Sequence, residues 1–418
     1  MWWQKVKKAC AQGAIAAAGI LGYLLRKSPR MDGERQRNVL VFFRDYGVGD
    51  AICFLDVLKK LPMLYPAAEG WQLVLAADAY SIDFWQRVDA LPEGIETVPL
   101  SLHDRSSLAA FRGNRRKLSG RQWEQVIFFH TMGSYYRFLL MGLPIGRLFA
   151  ECGDLDVPGR KFDCFLPPME CIEPPAGTML FSVYEELLWA ASGKEVRLDL
   201  PHLPRPRSEP GPVVAGTYAV FSCGVAAGHP NAARAWPMER FAKVAEFVHR
   251  ELRLPLVLCG GKEERVATRE LLSLLPRDVR SGVRDLVGQT SFAEWIVLTR
   301  GASFVFGNDS GYIHLAAAVG TQAFCIMGWH NHGRVFPYRL TGTELPQGYA
   351  APILIEADRP PCAFCSCPWL LTERAAKERK NVCDRMAGRR GIYACVDAIP
   401  AELAVRVIRH WWVTGRRL

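Results

Sequence analysis

The stretch SFVFGNDSGYIHLAAAVG, Ser303 to Gly320, holds an apolar run, a polar turn and an apolar helical pattern. Ser303–Phe306 reads as a buried strand and Tyr312–Val319 as a helix, with Gly307-Asn308-Asp309-Ser310-Gly311 forming the turn between them. A continuous apolar strand handing over to a helix through a small-residue turn is the unit of a parallel sheet covered on both faces. At such a turn the free backbone N–H groups of the helix start can hold a phosphate. His314 falls one turn into the helix, where it either looks back to the loop or serves as a satisfied core histidine. Ala316–Ala318 let the helix pack closely on the sheet.

Working outward, the same alternation appears on either side. Thr217–Cys223, Leu254–Cys259 and Gln322–Met327 read as further strands, with a helix at Pro237–Arg250 between the first two. Ahead of these, PHLPRPRSEPGP at 201–212 has five prolines in twelve residues and reads as a linker. A first series precedes it: strands at Asn38–Phe43, Gln72–Ala76 and Gln125–His130, with a helical stretch at Ala51–Leu61. Two such series predict an α/β chain of two Rossmann-like domains facing a cleft, 31–200 and 213–400, with a last helix at 401–418.

The other strand-to-helix turns also carry chemistry. Gly47-Val48-Gly49-Asp50 follows the first strand and places Asp50 at a helix start, as a cap or facing a ligand. Gly224, Gly228 and Arg234 lie in the loop before Trp236-Pro237, the composition of a diphosphate clamp. Cys259-Gly260-Gly261-Lys262-Glu263-Glu264 sets acids where ribose hydroxyls bind in such folds, or caps a helix.

Composition narrows the classes. The 418 residues are 50% hydrophobic and 22% charged, which excludes a disordered chain. The net charge is +10. Lys5, Lys7, Lys8, Arg26, Lys27 and Arg30 supply the excess within residues 1–30, which hold no acid. The remainder is too mildly basic to indicate a nucleic-acid binder. Between those cations, Cys10–Leu25 is a 16-residue uncharged stretch, short of the roughly 20 that span a bilayer. With Trp2 and Trp3 before it, it reads as a membrane-associated helix, a loosely packed soluble helix or a signal or other targeting segment.

A second basic run, Arg105 to Arg121, includes Arg112, Arg115, Arg116 and Lys117 and has no acid in 17 residues. It reads as a solvated basic loop or as the surface that meets an anionic acceptor. The thirteen cysteines divide by context. Cys223, Cys259 and Cys325 sit in apolar strings as small buried hydrophobes of a reducing compartment. Cys362, Cys365, Cys367, Cys383 and Cys395 cluster in 362–395. The C-x-x-C spacing is that of a structural metal, zinc or iron, contributed by Cys362, Cys365, Cys383 and Cys395; plain thiols or a disulfide are the other reading.

Taken in order, GVGDAI, ARAWPMERFA, LVLCGGKEE, DLVGQTSFAEW and FGNDSGYIHLAAAVG resemble glycosyltransferase family 9, the heptosyltransferases of lipopolysaccharide synthesis. The resemblance runs from Val39 to Ile399 and implies a GT-B fold with the donor mainly in the C-terminal domain. It implies inverting transfer of a sugar, a heptose, from an ADP-sugar to a hydroxyl of a cell-envelope glycolipid. Asp50 matches the general base. Arg234, Glu264, Asn308, Asp309, Ser310, Gly311 and His314 fall to the donor, and Arg112, Arg115, Arg116 and Lys117 to an anionic acceptor. No cofactor is implied for catalysis. The expected partners are the nucleotide sugar, the glycolipid and a membrane surface, with a cytoplasmic location peripheral at or anchored to the inner membrane. Arg234-Ala235 stands where the family has Lys-Arg, Thr321-Gln322 where it often has Lys-Pro, and VIFFHTMGS at 126–134 where it carries a more polar acceptor-side sequence. A transferase of the same fold with another nucleotide sugar or a protein acceptor, or a non-catalytic binding relative, are the alternatives.

Overall fold

The computed structural model describes residues 2–24, 37–44, 47–102, 105–151, 161–173, 178–203, 205, 213–224, 232–329, 333, 335–338, 349–358 and 392–415. These divide into two compact units, the first ending at Asp199 and the second beginning at Leu200. The division falls beside Pro201, where the proline-rich linker was expected; residues 204 and 206–212 lie outside the described residues.

The first unit contains α1 (Trp2–Leu24), β1 (Arg37–Phe43), α2 (Val48–Cys53), α3 (Leu55–Leu64), β2 (Trp71–Asp78), α4 (Ala79–Arg87) and β3 (Glu96–Leu100). It continues with α5 (Leu108–Leu118), β4 (Trp123–Thr131), α6 (Ser134–Leu140), β5 (Ile145–Glu151), β6 (Met169–Ile172) and α7 (Leu180–Ser192). Its six strands are parallel in the order β3-β2-β1-β4-β5-β6. Val39 to Phe43 are buried without interruption, because helices cover both faces of the sheet. The sequence marks only three of these strands. The missed β3, β5 and β6 are more polar or lie toward the sheet edge, so their apolar runs are broken.

The second unit contains β7 (Ala219–Ser222), α8 (Met238–Arg250), β8 (Leu256–Leu258), α9 (Arg265–Leu274), α10 (Arg277–Ser281), β9 (Val283–Asp285) and α11 (Phe292–Gly301). Then follow β10 (Phe304–Asn308), α12 (Gly311–Ala318), β11 (Ala323–Ile326), β12 (Ile353–Ile355), α13 (Ala394–Asp397) and α14 (Ala401–Thr414). Again six parallel strands form one sheet, in the order β12-β11-β10-β7-β8-β9. In each sheet the chain reverses direction of assembly at one point, between β1 and β4 and between β7 and β10. Open α/β sheets bind ligands outside the carboxyl ends of the strands at such points. Helix α14 belongs to this unit: Ala401, Ala404, Val407 and Ile408 are buried in its core.

The N-terminal helix is longer than the uncharged stretch and packs as part of the first unit. Ile15 is buried in the core shared with α6, and a side chain at Gly22 would collide with the Arg115 guanidinium. Among the described residues, no helix is long and apolar enough to cross a membrane. Cys223, Cys259 and Cys325 are buried free thiols, as their apolar contexts predict. Cys171 on β6 is disulfide-bonded.

Candidate functional site

In the second unit the expected donor residues gather at the carboxyl ends of three neighbouring strands, β10, β7 and β8. Asn308 ends β10 and is fully buried. Its Oδ1 accepts from the Trp236 backbone N–H at 3.0 Å, and its Nδ2 donates to the Cys223 carbonyl at 2.9 Å. Both bonds join loops of the protein itself. Asn308, expected among the donor ligands, thus staples the β7 and Trp236 loops to β10.

Those neighbours are Asp309, Ser310 and Gly311. The Arg234 guanidinium lies 3.6 Å from Asp309 Oδ2, with both side chains largely buried. Arg234 reaches it from a short 3-10 turn, Ala232–Arg234, held by the Trp236 staple. Arg234 Nε and Ser310 Oγ are enclosed and have no hydrogen-bond partner among the described residues. Ser310 is the residue before α12, yet its hydroxyl does not cap the helix. Gly311 then begins α12, whose first N–H groups have no helical acceptor by geometry.

Glu264 approaches from the β8 side. A side chain at Gly224 or Gly260 would meet its carboxylate, so those glycines make room for it. Its Oε2 is enclosed and has no partner among the described residues. Burial raises the carboxyl from its ordinary 4.5 to about 7, because a charged form is disfavoured away from water. Glu263 beside it is exposed, which separates two acids that the sequence leaves adjacent.

His314 is buried and stacks on Phe336 with ring centroids 4.3 Å apart. Its Nδ1 is hydrogen-bonded with the Tyr338 hydroxyl. Burial lowers its pKa to about 4, with Asp309 opposing that shift, so the ring is neutral near pH 7. Phe336 and Tyr338 were missed in the sequence: VFPY at 335–338 carries no turn, periodicity or charge signal that would tie it to α12.

In the first unit, Asp50 lies in the opening turn of α2. Gly47 occupies the capping position and no side-chain cap bond forms there, so Asp50 is not the N-cap. It stands at the carboxyl end of β1, at the switch point of the sheet.

The basic run is not a loop. Leu108–Leu118 forms α5, started by Ser107, whose side chain accepts from Ala110 N–H. Arg115 donates to the carbonyls of Phe138, Leu139 and Met141 at 3.3, 3.0 and 2.7 Å. Those are the last carbonyls of α6, which lack helical donors, so Arg115 is a cap for α6. Lys117 donates to the Pro99 carbonyl, and Arg121 pairs with Glu96 at 2.7 Å. Arg112 and Arg116, one turn apart, are exposed.

Cys362, Cys365 and Cys383 lie outside the described residues. Cys395 is buried at the start of α13. Among the described residues, no group of three metal-ligating side chains comes together.

A model described as glycosyltransferase family 9 (heptosyltransferase) matches residues 177–347. Lipooligosaccharide heptosyltransferase 2 of Haemophilus influenzae is 30% identical over 96 residues, 23% of this chain and 28% of that protein. Lipopolysaccharide heptosyltransferase 2 of Salmonella typhimurium is 28% identical over 96 residues, 23% of this chain and 27% of that protein. The chain thus spans little more than a quarter of the length of the curated relatives it matches. Two solved structures share the fold over most of the chain. One is a glycosyl transferase family 9 protein from Veillonella parvula, with a TM-score of 0.59 at 16% identity, covering 92% of this chain and 99% of that one. The other is ADP-heptose lps heptosyltransferase II of E. coli, with a TM-score of 0.60 at 16% identity, covering 90% and 99%. The matched residues include the loops that bring Arg234, Glu264 and Asp309 to one sheet edge, and over this stretch the chain is similar to glycosyltransferase family 9.

Proposed function

We propose that the chain is an inverting glycosyltransferase that moves a sugar, a heptose, from an ADP-sugar to a hydroxyl of an anionic cell-envelope glycolipid. One observation carries this reading. Arg234 Nε, Ser310 Oγ and Glu264 Oε2 are enclosed polar atoms without hydrogen-bond partners among the described residues, on three loops at one sheet edge. Each such orphan costs about 1–3 kcal/mol. A sugar nucleotide has the complementary chemistry: hydroxyls for the Glu264 carboxylate, and a diphosphate for Arg234 and the N–H groups opening α12.

The chemistry is a single displacement. Asp50 takes the proton of the acceptor hydroxyl as that oxygen attacks the anomeric carbon from the face opposite the diphosphate. The bond from the anomeric carbon to the diphosphate oxygen breaks, and its electron pair leaves with the nucleotide. Arg234 and the α12 N–H groups meet the developing charge. His314 is neutral and contributes shape and hydrogen bonding in place of charge. This scheme calls on no metal.

The acceptor reading rests on the exposed pair Arg112 and Arg116, since Arg115 and Lys117 already spend donors on backbone carbonyls. An acceptor carried by a lipid places the enzyme at the inner face of a membrane, where Lys5, Lys7 and Lys8 would favour anionic headgroups.

Calorimetric binding of ADP, UDP and GDP tests the donor assignment. ADP should bind tightest, and Arg234→Ala should weaken it about tenfold or more, the worth of a charge-assisted bond. Arg234→Lys should recover part of that loss. Equal binding of all three nucleotides, or an unchanged affinity in Arg234→Ala, would overturn it.

A further inference from the structure

Alternation along β4 puts Phe128 and His130 on one face of the sheet, and Phe129 on the other. Phe128 obeys it, meeting Phe42 and Tyr136 at ring distances of 4.8 and 5.2 Å on the face covered by α6. Phe129 also obeys it, meeting Phe54 and Tyr184 at 4.8 and 5.2 Å on the opposite face. His130 does not. Its backbone has φ +67°, and the register of β4 against β5 shifts between Phe128 and Thr131. The irregularity turns its ring onto the Phe129 face. There it lies 5.5 Å from the Tyr184 ring and 5.6 Å from the Phe43 ring, with Nε2 hydrogen-bonded to the Tyr184 hydroxyl at 2.7 Å.

That face carries α2. Trp85 packs on Phe43 at 5.2 Å and donates its indole N–H to the Ala51 carbonyl at 2.9 Å. Asp50 is the residue before Ala51. Phe43 is thus shared by the His130 ring and the packing that seats the Asp50 helix. A left-handed backbone at a non-glycine residue is disfavoured by its own Cβ. Bulges that re-aim a side chain concentrate beside active sites, and strained residues persist where the surroundings hold them for a purpose. Here the strain falls at the switch point between β1 and β4, and Tyr184 on α7 holds the result in place.

We propose that His130, anchored by Tyr184, is an acceptor-side positioning residue of the first unit. It sets the carboxyl edge of β1 and β4 so that the acceptor hydroxyl is presented to Asp50. This rests on the transferase reading above.

Three variants test it. His130→Asn keeps a side chain tolerant of the left-handed backbone but removes the ring. His130→Gly removes the strain and the ring together. Tyr184→Phe keeps the aromatic packing and removes only the anchoring hydroxyl. In all three the ADP affinity should stay within about twofold of wild type. In His130→Asn and His130→Gly the acceptor kcat/KM should fall at least tenfold, mainly through KM. In Tyr184→Phe it should fall less but in the same direction. Wild-type acceptor kinetics in a folded His130→Asn would overturn the proposal. If neither His130 variant folds, Tyr184→Phe decides it, and an unchanged acceptor KM there overturns it. Calorimetry with a phosphorylated core oligosaccharide reads the same site without turnover. If the wild-type chain shows no transfer yet binds this oligosaccharide, and His130→Asn weakens that binding, the transferase reading fails and the acceptor-side role stands. No binding by the wild-type chain removes both.

Discussion

Glu264→Gln separates stability from binding. The carboxyl sits against Gly224 and Gly260 with Oε2 enclosed and without a partner among the described residues. Its pKa stands at about 7 in the folded chain against an ordinary 4.5. A group raised in this way favours the folded state most below pH 4.5, and that stabilisation is lost as pH rises through about 7. At about 1.4 kcal/mol per pH unit, the loss approaches 3 kcal/mol above pH 7. Glutamine is isosteric and never ionises, so the variant avoids the loss. Urea unfolding at pH 5 and pH 8 should show little difference between the two chains at the lower pH. At the higher pH the variant should be more stable, by about 1–3 kcal/mol. The same substitution should weaken ADP binding at pH 8 about 10- to 100-fold, because a carboxylate accepts hydroxyl hydrogen bonds more strongly than an amide. Wild-type binding should weaken as pH falls below 7, as the carboxylate is lost. A variant no more stable at pH 8 than wild type, with unchanged ADP affinity, would refute both the burial argument and the placement of the nucleoside.

Other expectations follow from single contacts. Asn308→Ala leaves the Trp236 N–H and the Cys223 carbonyl unpaired in a fully buried place, so urea unfolding should show a loss of about 2–5 kcal/mol. Arg115→Ala removes three bonds to the end of α6 and should destabilise the first unit by about 2–4 kcal/mol, whereas Arg116→Ala should change thermal stability little. Replacing Arg112 and Arg116 together with serine should raise acceptor KM at low salt and flatten its salt dependence, leaving ADP affinity unchanged.

Much of this arrangement is legible in the residues. Strands buried on both faces, such as Asn38–Phe43, announce themselves because every position is apolar. Turns between such strands and the following helices mark the sheet's carboxyl edge, and the donor-side candidates other than His314 come from these turns and their ends. Chemistry that depends on a partner far along the chain is not legible. GNDSG identifies a loop, but nothing in it says that Asn308 is spent on Trp236 and Cys223 while the Ser310 hydroxyl has no partner among the described residues. Tyr338 reaches His314 from 24 residues away. The basic run misleads for a related reason: its charges suit a solvated loop, whereas α6 supplies carbonyls that Arg115 caps and β3 supplies the Glu96 that Arg121 pairs with. His130 is hidden because alternation, the rule that reads β4, is the rule it breaks.

The most direct measurement is incubation of the purified chain with ADP-heptose and a phosphorylated core glycolipid, following product mass and anomeric configuration alongside ADP release. The account predicts a single heptose added, with the anomeric configuration inverted. It also predicts turnover about 10²–10⁴-fold lower in Asp50→Asn, which should still bind ADP. No transfer from ADP-heptose, retention of configuration, or full turnover in Asp50→Asn would contradict it.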